Sequence, residues 1–124
     1  MPSSKLQKFI DEVKAKGQIC LYTDTQASFG RIVVTALPSV HAEDFHSYRL
    51  EYPGDFSIKE VPYPYLFIAA VLGDDVFTQI FHSIGISMRD TGEFKRVIGD
   101  YSLHIFAEKE TGIVLIEATN HKSP

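Results

Sequence analysis

The sequence predicts an α+β domain in which two or three helices pack on one face of a mainly antiparallel sheet of five to six strands. Apolar residues recur at helical intervals near the N-terminus and again in residues 74–84. Short runs of β-branched and aromatic residues lie between turn signals in the rest of the chain. The 124 residues are 44% hydrophobic, so we expect one domain covering residues 1–124 with a core of its own.

The first element is expected to be a helix that begins at Ser4, because Ser4 and Gln7 have the spacing of a capping box. Gly17 is suited to end this helix in a left-handed conformation. The apolar stripe of the helix consists of Leu6, Phe9, Ile10 and Val13.

Two antiparallel strands are expected next, in residues 18–24 and 31–37, which are rich in β-branched and aromatic side chains. The polar residues 25–28 and Gly30 would form the connection between them.

The middle of the chain predicts a short helix in residues 39–47 and a short edge strand in residues 56–61, which Pro62 ends. Residues 65–72 are continuously apolar. Such a run fits a strand buried on both faces or a buried helical segment, and periodicity alone does not separate the two. The length of the run favours a strand.

A further helix is expected to have Asp74 as its N-cap and to end at Gly85. A strand in residues 94–98 and a turn at Gly99 then lead to the last hairpin. The apolar face of the helix would consist of Val76, Phe77, Ile80, Phe81 and Ile84.

The closing β-hairpin has a register that can be predicted from its polar loop, residues 109–112. If Glu108 pairs with Ile113, side chains alternate between the two faces of the sheet. The core face would carry Leu103, Ile105, Ala107, Val114, Ile116 and Ala118. The opposite face would pair Phe106 with Leu115 and His104 with Glu117.

Composition excludes several classes of function. The formal net charge is −4 and the twelve Lys and Arg residues form no long run, so we expect no nucleic-acid partner. Cys20 is the single cysteine, which excludes an intrachain disulfide and predicts a small buried side chain. No stretch approaches the roughly 20 apolar residues that span a bilayer, and the N-terminus lacks the apolar core of a signal peptide. We therefore expect a cytoplasmic protein without a membrane partner.

The pair of His104 and Glu117 is the candidate for catalysis, because a carboxylate that orients an imidazole is half of a general-base arrangement. A pocket near these two residues, with Tyr101 as a further lining residue, would suit a small enzyme or a small-molecule-binding domain. No motif for a nucleophile or a cofactor accompanies them, so a structural cross-strand pair is favoured and no cofactor is expected. His41 and Asp44 have helical spacing, but two ligands do not make a metal site.

The most distinctive composition lies in residues 43–65, where carboxylates are interleaved with tyrosines. Tyrosine is enriched at binding hot spots, and surrounding carboxylates steer a basic partner. This combination suits a non-catalytic protein-binding domain, such as an immunity or inhibitor protein or a regulatory adaptor, and this is the function we expect. The alternative, which the composition slightly favours for the tyrosines themselves, is that they bury their rings against the sheet edge. We name this set the acidic tyrosine segment: Glu43, Asp44, Tyr48, Glu51, Tyr52, Asp55, Tyr63 and Tyr65.

A homodimer is a further hypothesis. Phe106 and Leu115 would leave an apolar patch if both were exposed on the closing hairpin, and a symmetric dimer could bury such a patch.

Overall fold

A computed structural model describes residues 2–40, 42–55 and 62–121, which form three α-helices and one antiparallel sheet of seven strands. The predicted α+β class is confirmed, with slightly more strands than expected. The helices are α1 (Ser4–Ala15), α2 (Pro62–Leu72) and α3 (Asp74–Thr91). The strands are β1 (Leu21–Tyr22), β2 (Gln26–Phe29), β3 (Ile32–Leu37), β4 (Ser47–Pro53), β5 (Phe94–Ile98), β6 (Tyr101–Ala107) and β7 (Ile113–Asn120).

The strands lie in the order β1-β2-β3-β4-β7-β6-β5, so the last strand of the chain lies near the middle of the sheet. β7 pairs with β4 on one side and with β6 on the other. The closing hairpin therefore joins the N-terminal and C-terminal halves of the sheet.

The inner face of the sheet packs against the helices, and the two layers share one hydrophobic core. Because side chains alternate along a strand, the register brings one inward residue from each of five neighbouring strands into a row. The residues of this row are all buried: Val34, Leu50, Ile116, Ile105 and Phe94. The outer face carries half-buried and exposed side chains apart from the buried Leu115.

Helix α1 has Ser3 as its N-cap residue, so the predicted Ser4–Gln7 capping box is wrong. The Ser3 hydroxyl accepts a hydrogen bond from the backbone N–H of Leu6 (3.3 Å) and lies 2.7 Å from the hydroxyl of Tyr48. The four apolar residues of the predicted stripe are all buried. The cap therefore also ties the helix to strand β4.

The first strands differ from the prediction. β1 covers two residues of the predicted strand 18–24, and residues 26–28 of the predicted connection are part of β2. β2 forms because Ala27 and Phe29 alternate inward and are buried, a period of two that the polar neighbours obscure. The hairpin partner of β3 is consequently β2, and the chain turns between the two strands at Gly30.

The predicted helix in residues 39–47 is wrong. A 3₁₀ turn, Glu43–Phe45, is followed by strand β4, in which Tyr48, Leu50 and Tyr52 are buried and the residues between them are half buried. This alternation is the strand signal that the sequence analysis missed. The edge strand predicted in residues 56–61 lies outside the described residues.

Residues 65–72 belong to helix α2, so the predicted strand is wrong as well. α2 contacts α1, α3 and strand β4, and most of its residues are buried. A helix that is covered on nearly all sides shows no apolar period in its sequence. Pro62 and Pro64 fall in its first turn, where a missing N–H breaks no helical hydrogen bond.

Gly73 alone separates α2 from α3 and is the N-cap residue, a role predicted for Asp74. Its φ of 99° lies in a region that glycine adopts without strain. α3 does not end at Gly85 as predicted. It continues to Thr91, where Gly92 adopts the left-handed conformation and donates its N–H to the Met88 carbonyl (3.1 Å).

The closing hairpin has the predicted register. The N–H of Glu108 donates to the carbonyl of Ile113 (2.8 Å), and Ile105 lies opposite Ile116. Both isoleucines are buried. The strand predicted in residues 94–98 is also confirmed, as β5.

Candidate functional site

His104 lies on the outer face, directly across from Glu117 in the predicted register. Its Nε2 atom is nevertheless 2.6 Å from Oε2 of Glu93, the residue before β5. Its ring stacks on Phe106 with the centroids 4.3 Å apart. The predicted contact between His104 and Glu117 is therefore not formed. Glu93 could not be predicted as the partner of His104 from the hairpin register, because this residue lies outside the hairpin.

A row of charged side chains crosses the outer face at the level of His104. The register places Arg49 opposite Glu117, Glu117 opposite His104, and His104 opposite Lys95. The buried Nε atom of Arg49 lies 3.3 Å from Oε1 of Glu51, without the geometry of a hydrogen bond. Facing opposite charges stabilise a sheet. We therefore interpret this row of charged side chains as a structural feature that stabilises the sheet.

A partly enclosed cavity of about 170 Å³ lies between α2, α3 and the inner face of the sheet. Its lining includes Ile105 and Ile116, which neighbour His104 and Glu117 along their strands and therefore project to the opposite face. The cavity is not lined by His104, Glu117 or Tyr101.

The tyrosines of the acidic tyrosine segment are mostly buried. Tyr48, Tyr52 and Tyr63 belong to the core, as the alternative interpretation of the segment expected. Burial raises the pKa of Tyr48 and that of Tyr52 to about 12. Tyr65 is the exception, because it is partly exposed on α2. These four side chains do not form one exposed surface.

The carboxylates of the same segment are separated along β4. Glu43 and Asp44 precede the strand and Asp55 follows it, and seven strand residues at about 3.3 Å each place them roughly 20 Å apart. The backbone N–H of Ser4 donates to Glu43, and this contact lowers the pKa of the Glu43 carboxyl. Asp55 lies 3.1 Å from the guanidinium of Arg31. The predicted partner-binding set is therefore not brought together.

The apolar patch predicted on the closing hairpin is not exposed. Leu115 is buried although it points to the outer face, and Phe106 is half buried beside the His104 ring. The dimer hypothesis loses the surface on which it was based.

Three aromatic rings of α2 and α3 form a cluster that reaches the surface at Phe81. The centroid of Tyr65 lies 5.7 Å from that of Phe77 and 6.0 Å from that of Phe81, and the two phenylalanine centroids are 5.8 Å apart. Phe81 is 50% exposed, although the sequence analysis placed it on the buried stripe of the helix. Ile86 of the same helix is also exposed. We name these residues, together with Gly85, the aromatic surface.

A groove of about 220 Å³ lies beside the exposed ring of Phe81 and is also lined by Gly85, Ile86 and Arg89. A Cβ atom at Gly85 would meet no other atom within 4 Å. Glycine inside a helix destabilises it by about 1 kcal/mol relative to alanine, and no internal contact explains its presence here. The sequence signal for this groove was Gly85, a glycine within an apolar helical pattern. We interpreted this glycine as the end of the helix.

Comparison with protein-family models, with curated proteins and with solved structures finds no match to this chain. Within the described residues, no group of three or more His, Cys, Asp or Glu side chains is arranged to hold a metal ion. No helix in the same part of the chain is long and apolar enough to cross a membrane. His41, which was considered as a ligand, lies outside the described residues.

Proposed function

We propose that this protein is a non-catalytic protein-binding domain that docks its partner on the aromatic surface. The observation that supports the proposal is the half-exposed ring of Phe81, which lies in a cluster with Tyr65 and Phe77. Aromatic side chains dominate the binding energy of many interfaces, because they bury a large area with little loss of conformational entropy.

Part of the aromatic surface is anchored to the core. Phe77 packs against the core, and Tyr65 extends the cluster from α2, which a single residue joins to α3. A preorganised surface loses less conformational freedom on association. The groove beside Gly85 would accept one apolar side chain of the partner.

The net charge of the whole chain favours a basic partner, although Arg89 lines the groove itself. The formal net charge of the chain is −4, and Asp74 and Asp75 are exposed at the N-terminus of α3. Complementary charge increases the rate of encounter. The proposed partner therefore carries an apolar anchor beside Lys or Arg residues, as a target of an immunity protein, an inhibitor or a regulatory adaptor would. The proposal includes a cytoplasmic location, where a free thiol such as that of Cys20 stays reduced.

Affinity capture with matched variants tests this proposal. The wild-type protein, Phe81→Ser and Val97→Ser serve as baits, and the captured proteins are quantified by mass spectrometry. Val97 is 66% exposed on β5 and controls for the general loss of an exposed apolar side chain. A partner should bind the wild type and Val97→Ser but not Phe81→Ser. Equal capture by all three baits would exclude the aromatic surface as the docking site.

The groove has a test of its own. Gly85→Leu fills open space and leaves the internal packing unchanged, so the variant should fold. It should weaken binding of the captured partner on the order of tenfold, which corresponds to about 1.4 kcal/mol. Isothermal calorimetry measures the two dissociation constants, and unchanged affinity would show that the partner does not enter the groove.

A homodimer is distinguished from a complex with another protein by sedimentation at several concentrations. If the partner were a second copy of this chain, the sedimentation coefficient would fall on dilution and in Phe81→Ser. A constant monomer value would exclude self-association through this surface.

The edge strand β1 is a second candidate surface for the same function. Ile19 is 85% exposed and Leu21 72% exposed, and among the described strands β1 lies at one end of the sheet and pairs with β2 alone. An extended partner segment can add to such an edge through backbone hydrogen bonds. Leu21→Lys is the matched bait, and loss of capture with this variant but not with Phe81→Ser would favour the edge.

A further inference from the structure

We propose that the cavity between α2, α3 and the inner face of the sheet binds a small, uncharged and mainly apolar molecule, comparable in size to a benzene ring with one substituent. The cavity volume is about 170 Å³. A dry apolar cavity of about 150 Å³ is large enough to hold benzene. This inference goes beyond the proposed protein-binding function and does not depend on it.

The lining defines the chemical class of the ligand. Among the described residues that line the cavity none is charged, and most are aliphatic: Ile68, Ile84, Ile105, Ile116 and Met88. An ionised ligand would lose its hydration without gaining an opposite charge, so carboxylates and ammonium groups are disfavoured. A compact aryl or branched alkyl group would instead gain dispersion contacts with the isoleucine side chains.

Two tyrosines provide the polar side-chain groups of the lining. Tyr52 and Tyr65 each carry a phenolic hydroxyl that can donate or accept a hydrogen bond. Burial raises the pKa of Tyr52 to about 12, so this hydroxyl keeps its proton near neutral pH. These groups add polar atoms but no charge to the lining, which is consistent with an uncharged ligand.

The cavity is a product of the whole fold. Its walls come from α2, α3, β4, β6 and β7, whereas neighbouring core positions such as Leu50 and Leu103 are completely buried. Tyr65 and Met88 are lining residues that are also partly exposed. Rotation of these two side chains would provide a route of entry, as expected for a binding site rather than an isolated packing defect.

Titration with small probes tests the proposal on the unaltered protein. Toluene, phenol and benzoate share one ring and differ in polarity and charge. With labelled isoleucine and methionine methyl groups, toluene and phenol should cause saturable NMR shifts at Ile68, Ile84, Ile105 and Ile116, and intermolecular nuclear Overhauser effects to the same methyl groups. Benzoate should cause neither. Absence of these effects at the solubility limit of toluene, or an equal response to benzoate, would overturn the inference.

A variant whose larger side chain fills the cavity provides the matched comparison for ligand affinity. Met88→Phe adds volume toward the cavity, whereas Met88→Leu conserves the volume of the side chain. Toluene affinity should fall at least about tenfold in Met88→Phe and stay within about twofold of wild type in Met88→Leu. A folded Met88→Phe variant that binds toluene like the wild type would contradict the proposed site. If that variant does not fold, the Overhauser effects on the unaltered protein still decide the question.

Discussion

His104 is hydrogen-bonded to Glu93, with 2.6 Å between Nε2 and Oε2, although Glu117 lies directly across from it on β7. The contact adds a side-chain link to the backbone ladder that joins β5 and β6. The Glu93 side chain is 56% exposed, and pairs of this kind contribute about 0–1 kcal/mol. We interpret the contact as one that positions the imidazole on the outer face.

Replacing Glu93 should therefore change the environment of the His104 ring more than replacing Glu117. Glu93→Ala removes the hydrogen-bond partner, whereas Glu117→Ala removes only a neighbouring charge. Nitrogen–proton correlation spectra of the imidazole measure the effect directly. A larger change of the ring resonances in Glu117→Ala would show that the solution contact differs from the structure.

Ser3→Ala should lower the free energy of unfolding by about 2–3 kcal/mol. The substitution removes the N-cap of α1, which contributes about 1 kcal/mol, and leaves the buried Tyr48 hydroxyl without its partner. Ser4→Ala is the matched control, because Ser4 is exposed and should have an effect of less than about 0.5 kcal/mol. Urea denaturation measures the free energy of unfolding of both variants. Equal effects would indicate that Ser4 is the N-cap residue.

Ile116→Ala should lower the free energy of unfolding by about 2–5 kcal/mol, because the side chain is 1% exposed and leaves a cavity. Glu117→Gln, one residue along the same strand, should change it by about 0–1 kcal/mol, because Glu117 is half buried on the outer face. The contrast tests the hairpin register by chemical denaturation. Similar values for the two variants would contradict the assignment of faces.

Gly85→Ala should raise the free energy of unfolding by about 1 kcal/mol, because the new methyl group meets no atom within 4 Å and alanine favours the helix. Gly73→Ala should lower it by about 1 kcal/mol or more, because a φ of 99° strains any residue with a Cβ atom. Thermal denaturation of both variants checks the opposite signs. Destabilisation by Gly85→Ala would indicate that α3 is interrupted at this residue.

Alkaline conditions should destabilise the protein through Tyr48 and Tyr52. Burial raises the pKa of each from 10.0 to about 12, so the folded state keeps these protons at a pH where the unfolded state has lost them. The stabilisation is fully present below about pH 10 and is lost as the pH rises toward about 12. Tyr48→Phe should reduce this slope in urea denaturation at a series of pH values. An unchanged slope in the variant would exclude Tyr48 as a source.

The sequence alone predicted the elements whose signals are local. The stripe of α1 was visible as a periodic pattern, and the polar loop of residues 109–112 was sufficient for the register of the last hairpin. Strand β5 was predicted from the turn signals on either side of it. The helix and the hairpin were predicted correctly because one side of each element contacts the core and the other side contacts solvent. The spacing of the apolar residues in the sequence therefore indicates which side is buried.

The same reasoning failed where burial has no period or where polar residues interrupt it. α2 is covered on nearly all sides, so its apolar run could not distinguish a helix from a strand. In β4, the helical interpretation overlooked the alternation of Tyr48, Leu50 and Tyr52. Whether a tyrosine of the sheet is available to a partner or packs in the core depends on which face of the sheet the helices cover.

The sequence by itself determined the class of fold and the pairing of the closing hairpin. The tertiary structure decided which residues meet: Glu93 with His104, Ser3 with Tyr48, and Tyr65 with Phe77 and Phe81. It also decided that the cavity and the aromatic surface lie where α2 and α3 pack together. The physical reason is that these contacts join different elements of the fold, and their positions follow from the packing of whole elements rather than from any local pattern.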